Sequence, residues 1–174
     1  MSNPAVRPLR ASDAPDVLAA FQSSDDMVRQ GTVTTPEEAE AYVATQLEPG
    51  RRAFAIVDDD RLVGLIGLSL DRVNRVGWLW YWMNRSHRGR GWASAATTAV
   101  ANWALTKGGC ERLELGHRAN NPLSGNVAGA AGFVREGRER GKFLVDGERV
   151  DVLTYGRLAT DPWPPIPEIE FSAT

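Results

Sequence analysis

Apolar positions recur with two different periods along this chain, and the switches between them mark out its elements. Ala5 to Arg10 reads as a short first strand. Ser12 or Asp13 can cap a helix that carries Val17, Leu18 and Phe21 on one face. Ser23 to Thr34 reads as a loop or a broken helix. Thr35-Pro36-Glu37-Glu38 is a helix start, with threonine at the N-cap, proline at N1 and glutamate at N3. That helix runs to about Leu47, where Pro49-Gly50 stops it.

Ala53 to Val57 and Leu62 to Leu70 form a hairpin around the turn Asp58-Asp59-Asp60. Val76 to Met83, VGWLWYWM, is apolar on both faces and predicts a central strand covered on both sides. A helix follows from about Trp92 to Lys107, with Ala93, Ala96, Thr97, Val100 and Ala104 on one stripe. Gly108-Gly109 ends it. Arg112 to Gly116 is a strand, and Pro122 to Ala131 a short helix rich in small residues. Phe133 to Lys142 and Arg149 to Leu158 are two strands joined around Asp146-Gly147. From Asp161 the chain carries four of its ten prolines and predicts an extended tail after a single domain of residues 1–160. This order, with antiparallel hairpins and crossover helices, argues an α/β or α+β sandwich.

Composition narrows the picture by exclusion. The 174 residues suit one domain with a real core. A net charge of −2 gives no global basic field for nucleic acid. Cys110 is the only cysteine, which excludes an internal disulfide and a cysteine-rich metal site and suits a reducing cytoplasm. No metal is expected. No stretch approaches the ~18 apolar residues of a membrane span. The start, MSNPAVRPLR, lacks the apolar run of a signal peptide.

The chemistry concentrates between the central strand and the next helix, in HRGRGWASAAT. Gly89 and Gly91 let the backbone approach a ligand closely. The free N–H groups of the first helical turn, Trp92, Ala93 and Ser94, point the same way, and the helix dipole adds positive charge. Arg88 and Arg90 can add theirs. This is a phosphate site by construction, although a solvent-exposed turn with two convenient glycines is the plain alternative. A triphosphate loop would need Gly-Lys-Ser/Thr, and a dinucleotide fingerprint a third glycine.

Arg88-Gly89-Arg90-Gly91-Trp92-Ala93 resembles the Arg/Gln-x-x-Gly-x-Gly/Ala signature of the GNAT N-acyltransferase superfamily. A second stretch, Asn120-Asn121-Pro122-Leu123-Ser124 followed by Ala131-Gly132-Phe133 and Glu136-Gly137, resembles the branch that acetylates ribosomal-protein N-termini, the RimJ/RimL type. Asp151 and Tyr155 sit where that branch carries Asp-x-x-x-Tyr. The resemblance covers roughly Val6 to Leu158. It implies a mixed sheet of about seven mostly antiparallel strands, splayed at the middle and flanked by about four helices. It also implies acetyl-CoA as co-substrate and direct attack of an amine on the thioester.

The same resemblance implies roles. Trp82, Met83 and Asn84 line the pantetheine arm, with a backbone N–H near Met83 donating to the thioester oxygen. Asn121, or Asn120 if the register shifts by one, bonds the arm. Ser124 protonates the leaving thiolate; alternatively its hydroxyl only bonds its own helix start. Many relatives carry a carboxylate base on the central strand, where this chain has Gly77-Trp78. Glu114 and His117 are then the nearest base candidates, unless they are a solvent-facing carboxylate and a loop histidine. Asp151 reads as an orienting or structural carboxylate. Trp78, Trp80 and Trp82 share one strand face. Trp82 and Trp80 are candidates for an acceptor wall, against a plain core role. The acceptor is a small amine or a protein N-terminus. Succinyl-CoA or another acyl-CoA, and a non-catalytic acyl-CoA-binding module, are the alternatives. A homodimer stays open.

Overall fold

The computed structural model describes residues 4–165 and 167–174. Eight strands form one sheet, in the order β6-β7-β5-β4-β3-β2-β1-β8. They are β1 (Ala5–Pro8), β2 (Arg51–Asp58), β3 (Arg61–Asp71), β4 (Val76–Met83), β5 (Arg112–Arg118), β6 (Val134–Val145), β7 (Glu148–Leu158) and β8 (Glu170–Phe171). Four α-helices flank it: α1 (Ala14–Gln22), α2 (Pro36–Gln46), α3 (Trp92–Thr106) and α4 (Pro122–Ala130).

Most neighbours run antiparallel; β4–β5 and β1–β8 are parallel. The expected mixed, mostly antiparallel sheet is present, with one strand more than expected. The extra strand lies in the segment read as a tail. Glu170 and Phe171 pair with Ala5 and Val6, and the Phe171 ring packs on Phe54 with centroids 5.5 Å apart. Ahead of it, Trp163 lies over the buried Arg157 guanidinium at 4.8 Å. Arg157 donates to the Ala131 carbonyl and to Asn102 Oδ1, each at 2.8 Å.

One face of the central strand is covered by α3, but the other is covered only at its C-terminal end, around Trp82, so the expected cover on both sides holds for part of the strand. Leu79 and Met83 face Ala96, Val100 and Ala104 of α3. Trp82 faces Val17, Phe21 and Val43 of α1 and α2. Each fully buried aliphatic chain contributes about 1.5–3 kcal/mol relative to leaving it in water. The small residues of α3 let that helix lie close to the sheet. Gly109, at φ +81°, turns the chain out of α3 towards β5. The 3-10 segment Asp25–Gln30 replaces the expected loop or broken helix before α2. At α2 itself the Thr35 hydroxyl accepts from the Glu38 N–H, and the Glu38 carboxylate reaches back to the Thr35 N–H.

The feature that positions the site is the middle of the sheet. β4 and β5 pair at only three positions: Val76 with Arg112, Gly77 with Leu113 and Trp78 with Glu114. Beyond them the two strands diverge, and a wedge opens between Leu79–Met83 and Leu115–Arg118.

Candidate active site

Local chemistry fixes the loop at the open end of the wedge. Asn84 Oδ1 accepts from the Ser86 N–H at 3.1 Å and starts a 3-10 turn, Arg85–His87. Gly89 and Gly91 follow, both at φ +77°, a conformation that a residue with a side chain adopts only under strain. A Cβ built on either glycine would meet no atom within 4 Å, so both open onto solvent. Gly91 is the N-cap of α3 and supplies no capping side chain. The helix ladder begins with Ala95 N–H bonding the Gly91 carbonyl. The N–H groups of Trp92, Ala93 and Ser94 therefore face the opening, and the first turn holds no acidic residue. An anion fits here by both hydrogen bonding and helix dipole.

The free edge of β4 lies next to this loop. The Asn84 N–H bonds the Val63 carbonyl at 2.8 Å. In an antiparallel ladder bonded and non-bonded pairs alternate. Trp82 and Trp80 thus turn their backbone groups to β3, while Met83, Tyr81 and Leu79 turn theirs into the wedge. β5 has already diverged beyond Leu79; the Met83 carbonyl is taken by Arg88 Nε at 3.1 Å, and the Met83 N–H and the backbone groups of Tyr81 remain open to an extended ligand.

At the far side of the wedge α4 begins at Asn121 and Pro122. Asn121 Nδ2 donates to Ser124 Oγ at 3.0 Å. Ser124 Oγ is thus held by a side chain, not by its own helix backbone. Tyr81 stands opposite, on the β4 face shared with Leu79 and Met83. Burial pushes its phenol up, with the Ser124 hydroxyl acting in the opposite direction, so it stays protonated at neutral pH. Loop, β4 edge, Asn121, Ser124 and the Asp25–Gln30 segment enclose one cleft of about 360 Å³, within the usual range for ligand pockets.

Several residues lie elsewhere than the sequence suggests. Arg88 is engaged by protein partners. Its two terminal nitrogens hold Asp26 at 2.7 and 3.0 Å, and its Nε donates to the Met83 carbonyl at 3.1 Å. The guanidinium holds the Asp26 carboxyl down at about 2. Arg90 lies over the Trp92 ring at 5.1 Å and bonds the Ser86 carbonyl at 3.2 Å.

Glu114 and His117 occupy opposite faces of β5, three positions apart on a two-residue period. Glu114 Oε1 accepts from Arg112 Nε at 2.8 Å on the face away from α3. His117 is 9% exposed. Its Nδ1 donates to the Arg118 carbonyl at 2.8 Å, and its Nε2 takes the Tyr155 hydroxyl at 3.1 Å. Neither side chain lines the cleft. Asp26, tied to Arg88, is the one carboxylate that does among the described residues. Asp151 pairs with Arg138 and accepts the Gly141 N–H at 2.6 Å, fastening the β6–β7 hairpin. Asn120 lies in the turn before α4, outside the cleft wall.

The three tryptophans grade from core to surface. Trp82 is 3% exposed. Its indole N–H donates to the Tyr42 hydroxyl at 3.0 Å, and its ring packs edge-on against Phe21. Trp80 is half-buried, lying against the backbone of Gly67, where an added Cβ would come within 2.1 Å of the indole. Trp78 is 40% exposed and leans over Gly116. The acceptor-wall expectation for Trp82 is thereby corrected: α1 and α2 bury the indole and satisfy its N–H. Trp78 and Trp80 hold the uncovered part of that face.

Tyr81 and the Asp25–Gln30 segment also line the cleft. Strand alternation puts Tyr81 on the Leu79–Met83 face, which the three indoles overshadow in the sequence. The segment before α2 carries no local signal for its partner Arg88.

The sequence pattern of the acetyltransferase (GNAT) domain is matched over residues 5–134. The ribosomal-protein-serine acetyltransferase of Escherichia coli (strain K12) is 32% identical over 109 residues, 62% of this chain and 60% of that protein's length. Among solved structures, a ribosomal L7/L12 α-N-protein acetyltransferase in complex with coenzyme A superposes with a TM-score of 0.82 at 20% identity, over 90% of this chain and 94% of the other. The ribosomal-protein-S5-alanine acetyltransferase of Vibrio fischeri gives 0.82 at 21%, over 95% and 100%. The splayed sheet, the two-glycine loop and the matched sequence pattern place this chain in the GNAT acetyltransferase family.

Proposed function

We propose that the cleft binds acetyl-CoA and passes its acetyl group directly to a protein N-terminal α-amine. The observation that carries this reading is continuity. The two-glycine loop, the free edge of β4 and the Asn121–Ser124 pair line one cleft in the order of pyrophosphate, pantetheine arm and thioester.

In this reading the pyrophosphate lies on the N–H groups of Gly89 to Ser94. The arm adds to β4 as an extra strand, bonding the Met83 N–H and the backbone groups of Tyr81. A wedge-facing N–H polarises the thioester carbonyl. The amine nitrogen attacks the carbonyl carbon, the C–S bond breaks, and the amine's proton leaves to water. Ser124 gives its hydroxyl proton to the departing sulfur and regains one from solvent. Asn121 occupies one lone pair of Ser124 Oγ and so favours the hydroxyl proton pointing into the cleft.

The acceptor class follows from what the cleft wall lacks. The one carboxylate lining it is neutralised by Arg88. An α-amine of pKa ~7.7–8.0 costs only ~1–1.4 kcal/mol to deprotonate at pH 7, whereas a lysine costs ~4.6 kcal/mol. A wall with no free carboxylate among the described residues suits the first better than the second. Both substrates are water-soluble, and the single cysteine suits the cytoplasm as the place of work.

Thiol release from acetyl-CoA tests the proposal against three acceptors: a peptide with a free N-terminus, the same peptide Nα-blocked but carrying lysine, and a polyamine. Turnover confined to the free N-terminus is expected. Turnover on the blocked peptide or the polyamine alone would sink the α-amine reading, and absence of turnover despite binding would mark a non-catalytic module.

A further inference from the structure

We propose that His117 and Tyr155 are positioning residues for the acetyl transfer: their bonded pair is the seat on which the first turn of α4 rests at Gly125, and that seat sets where the Ser124 hydroxyl stands in the cleft. The inference rests on the reading of Ser124 as the proton donor to the leaving sulfur.

Two strands build the pair. Leu115 and Tyr155 are partners in the β5–β7 ladder, and His117 lies two residues beyond Leu115, so both side chains share the face on which α4 packs. Their rings stack with centroids 5.4 Å apart and planes 27° from parallel. A carbonyl oxygen only accepts, so the 2.8 Å contact between Nδ1 and the Arg118 carbonyl puts a hydrogen on Nδ1. In the neutral ring Nε2 is then an acceptor, and Tyr155 donates its hydroxyl proton to it at 3.1 Å. The imidazole is thus held at both nitrogens.

Gly125 is the point of contact with the helix. A Cβ at this position would lie 3.1 Å from His117 Nε2 and 3.3 Å from the Tyr155 hydroxyl oxygen. Both are shorter than the roughly 3.5–4.0 Å of ordinary carbon contacts. Gly125 is helical and is not among the glycines of positive φ, so its backbone does not call for glycine. Alanine is the better helix former; glycine is what lets α4 settle onto the pair. The helix has no side-chain cap at this end, because the Asn121 amide goes to Ser124 Oγ at 3.0 Å. The seat therefore fixes the depth of the first turn, and Asn121 the direction of the hydroxyl. His117, Tyr155 and Gly125 all lie outside the cleft wall, whereas Ser124 lines it. The pair acts on the reaction through α4.

The test is a double-mutant cycle read by steady-state kinetics, with acetyl-CoA and a peptide carrying a free N-terminus, in the wild-type and Ser124→Ala backgrounds. Tyr155→Phe removes one oxygen and keeps the ring. It should lower kcat by roughly 3- to 10-fold, as a displacement of a fraction of an ångström does, with KM for acetyl-CoA within about twofold of wild type. Gly125→Ala should give the same split by lifting the turn. In the Ser124→Ala background neither substitution should lower kcat further by more than about twofold, because the group being positioned is gone. An equal loss in both backgrounds would make the pair a support of the fold alone and overturn the inference. So would a wild-type kcat for Tyr155→Phe or for Gly125→Ala; if Gly125→Ala does not fold, Tyr155→Phe decides. A Ser124→Ala variant as active as wild type would remove the serine from the reaction, and the inference with it. A wild type that does not turn over acetyl-CoA overturns the acyl-transfer reading itself.

Discussion

Arg88 grips Asp26 with two bonds, at 2.7 and 3.0 Å, and so ties the segment before α2 to the two-glycine loop. In a loop of this kind an arginine is readily assigned to the phosphates. Here its guanidinium is engaged by a carboxylate and the Met83 carbonyl. The pair has a positioning role, and the two single variants distinguish it from a phosphate contact. If Arg88 held phosphate, Asp26→Ala would free it and tighten acetyl-CoA binding. If the pair shapes the loop, Asp26→Ala and Arg88→Ala should both weaken binding, each by roughly 10-fold or about 1.4 kcal/mol. Calorimetric affinities of the two variants decide between them.

The same pair should be felt in acid. The Asp26 carboxyl is pushed down to about 2 by the Arg88 hydrogen bonds. A depressed folded value means the contribution is fully present above the unfolded value, ~3.9, and is lost as pH falls from there through about 2. Both side chains are more than a third exposed, so the contribution is about 1 kcal/mol or less. Asp26→Asn removes it at every pH. The gap in melting temperature between wild type and variant should therefore close between about pH 4 and pH 2. A gap that stays constant would mean the pair contributes nothing through its charge.

Ser124 is held by Asn121 Nδ2 at 3.0 Å. Ser124→Ala should cut kcat by roughly 10²-fold, the low end for general acid catalysis, with KM for acetyl-CoA little changed. Asn121→Ala should lower kcat as well, since it loosens the hydroxyl and removes a group from the cleft wall. A kcat for Ser124→Ala within about twofold of wild type would leave the serine no part in proton transfer.

Gly91 tests the loop most directly. At φ +77° a valine is strained, and its side chain would project into the space where an anion would sit. Gly91→Val should abolish acetyl-CoA binding while the melting temperature falls only modestly, because no protein atom lies within 4 Å of the new Cβ. Calorimetry showing wild-type affinity would remove the loop from the site.

These parts of the site differ in how readily the sequence shows them. The loop and the Asn121–Ser124 pair are legible because their chemistry is local: left-handed glycines, a helix start and a bond spanning three positions. The Arg88–Asp26 pair joins residues 62 apart, and nothing in either neighbourhood marks the other. β8 is two residues long and follows a proline-rich stretch, so no period announces it. Glu114 and His117 are a different case. Their separation of three on a strand already puts them on opposite faces, so the period of two excludes both from serving one cleft. Tyr81 is separated from its tryptophan neighbours by the same alternation.

That alternation also shapes the last prediction, which concerns the acceptor. Trp78, Trp80 and Trp82 share one face of β4, but α1 and α2 cover only its C-terminal end. Trp82 is 3% exposed, with its N–H on Tyr42. Trp82→Ala should therefore destabilise the fold by about 3–5 kcal/mol, as expected for deleting a buried aromatic ring. Trp80 lies at the edge of that cover, flat against Gly67, with the Arg51 guanidinium 6.0 Å above its ring. Trp78 lies further out, where β4 and β5 part and the wedge opens. An amine that enters the wedge from this face passes these two rings, and a protonated or peptide-bearing amine gains from them by cation–π and stacking contact. Trp80→Leu and Trp78→Leu should keep the fold and the acetyl-CoA affinity and raise the acceptor KM, by roughly 5- to 30-fold for a loss of ~1–2 kcal/mol. Thermal melts, acetyl-CoA titration and acceptor kinetics on the three variants separate the roles. Unchanged acceptor kinetics for both leucine variants would move the amine's entry away from this face, and a stable Trp82→Ala would mean that α1 and α2 do not depend on that indole for their packing.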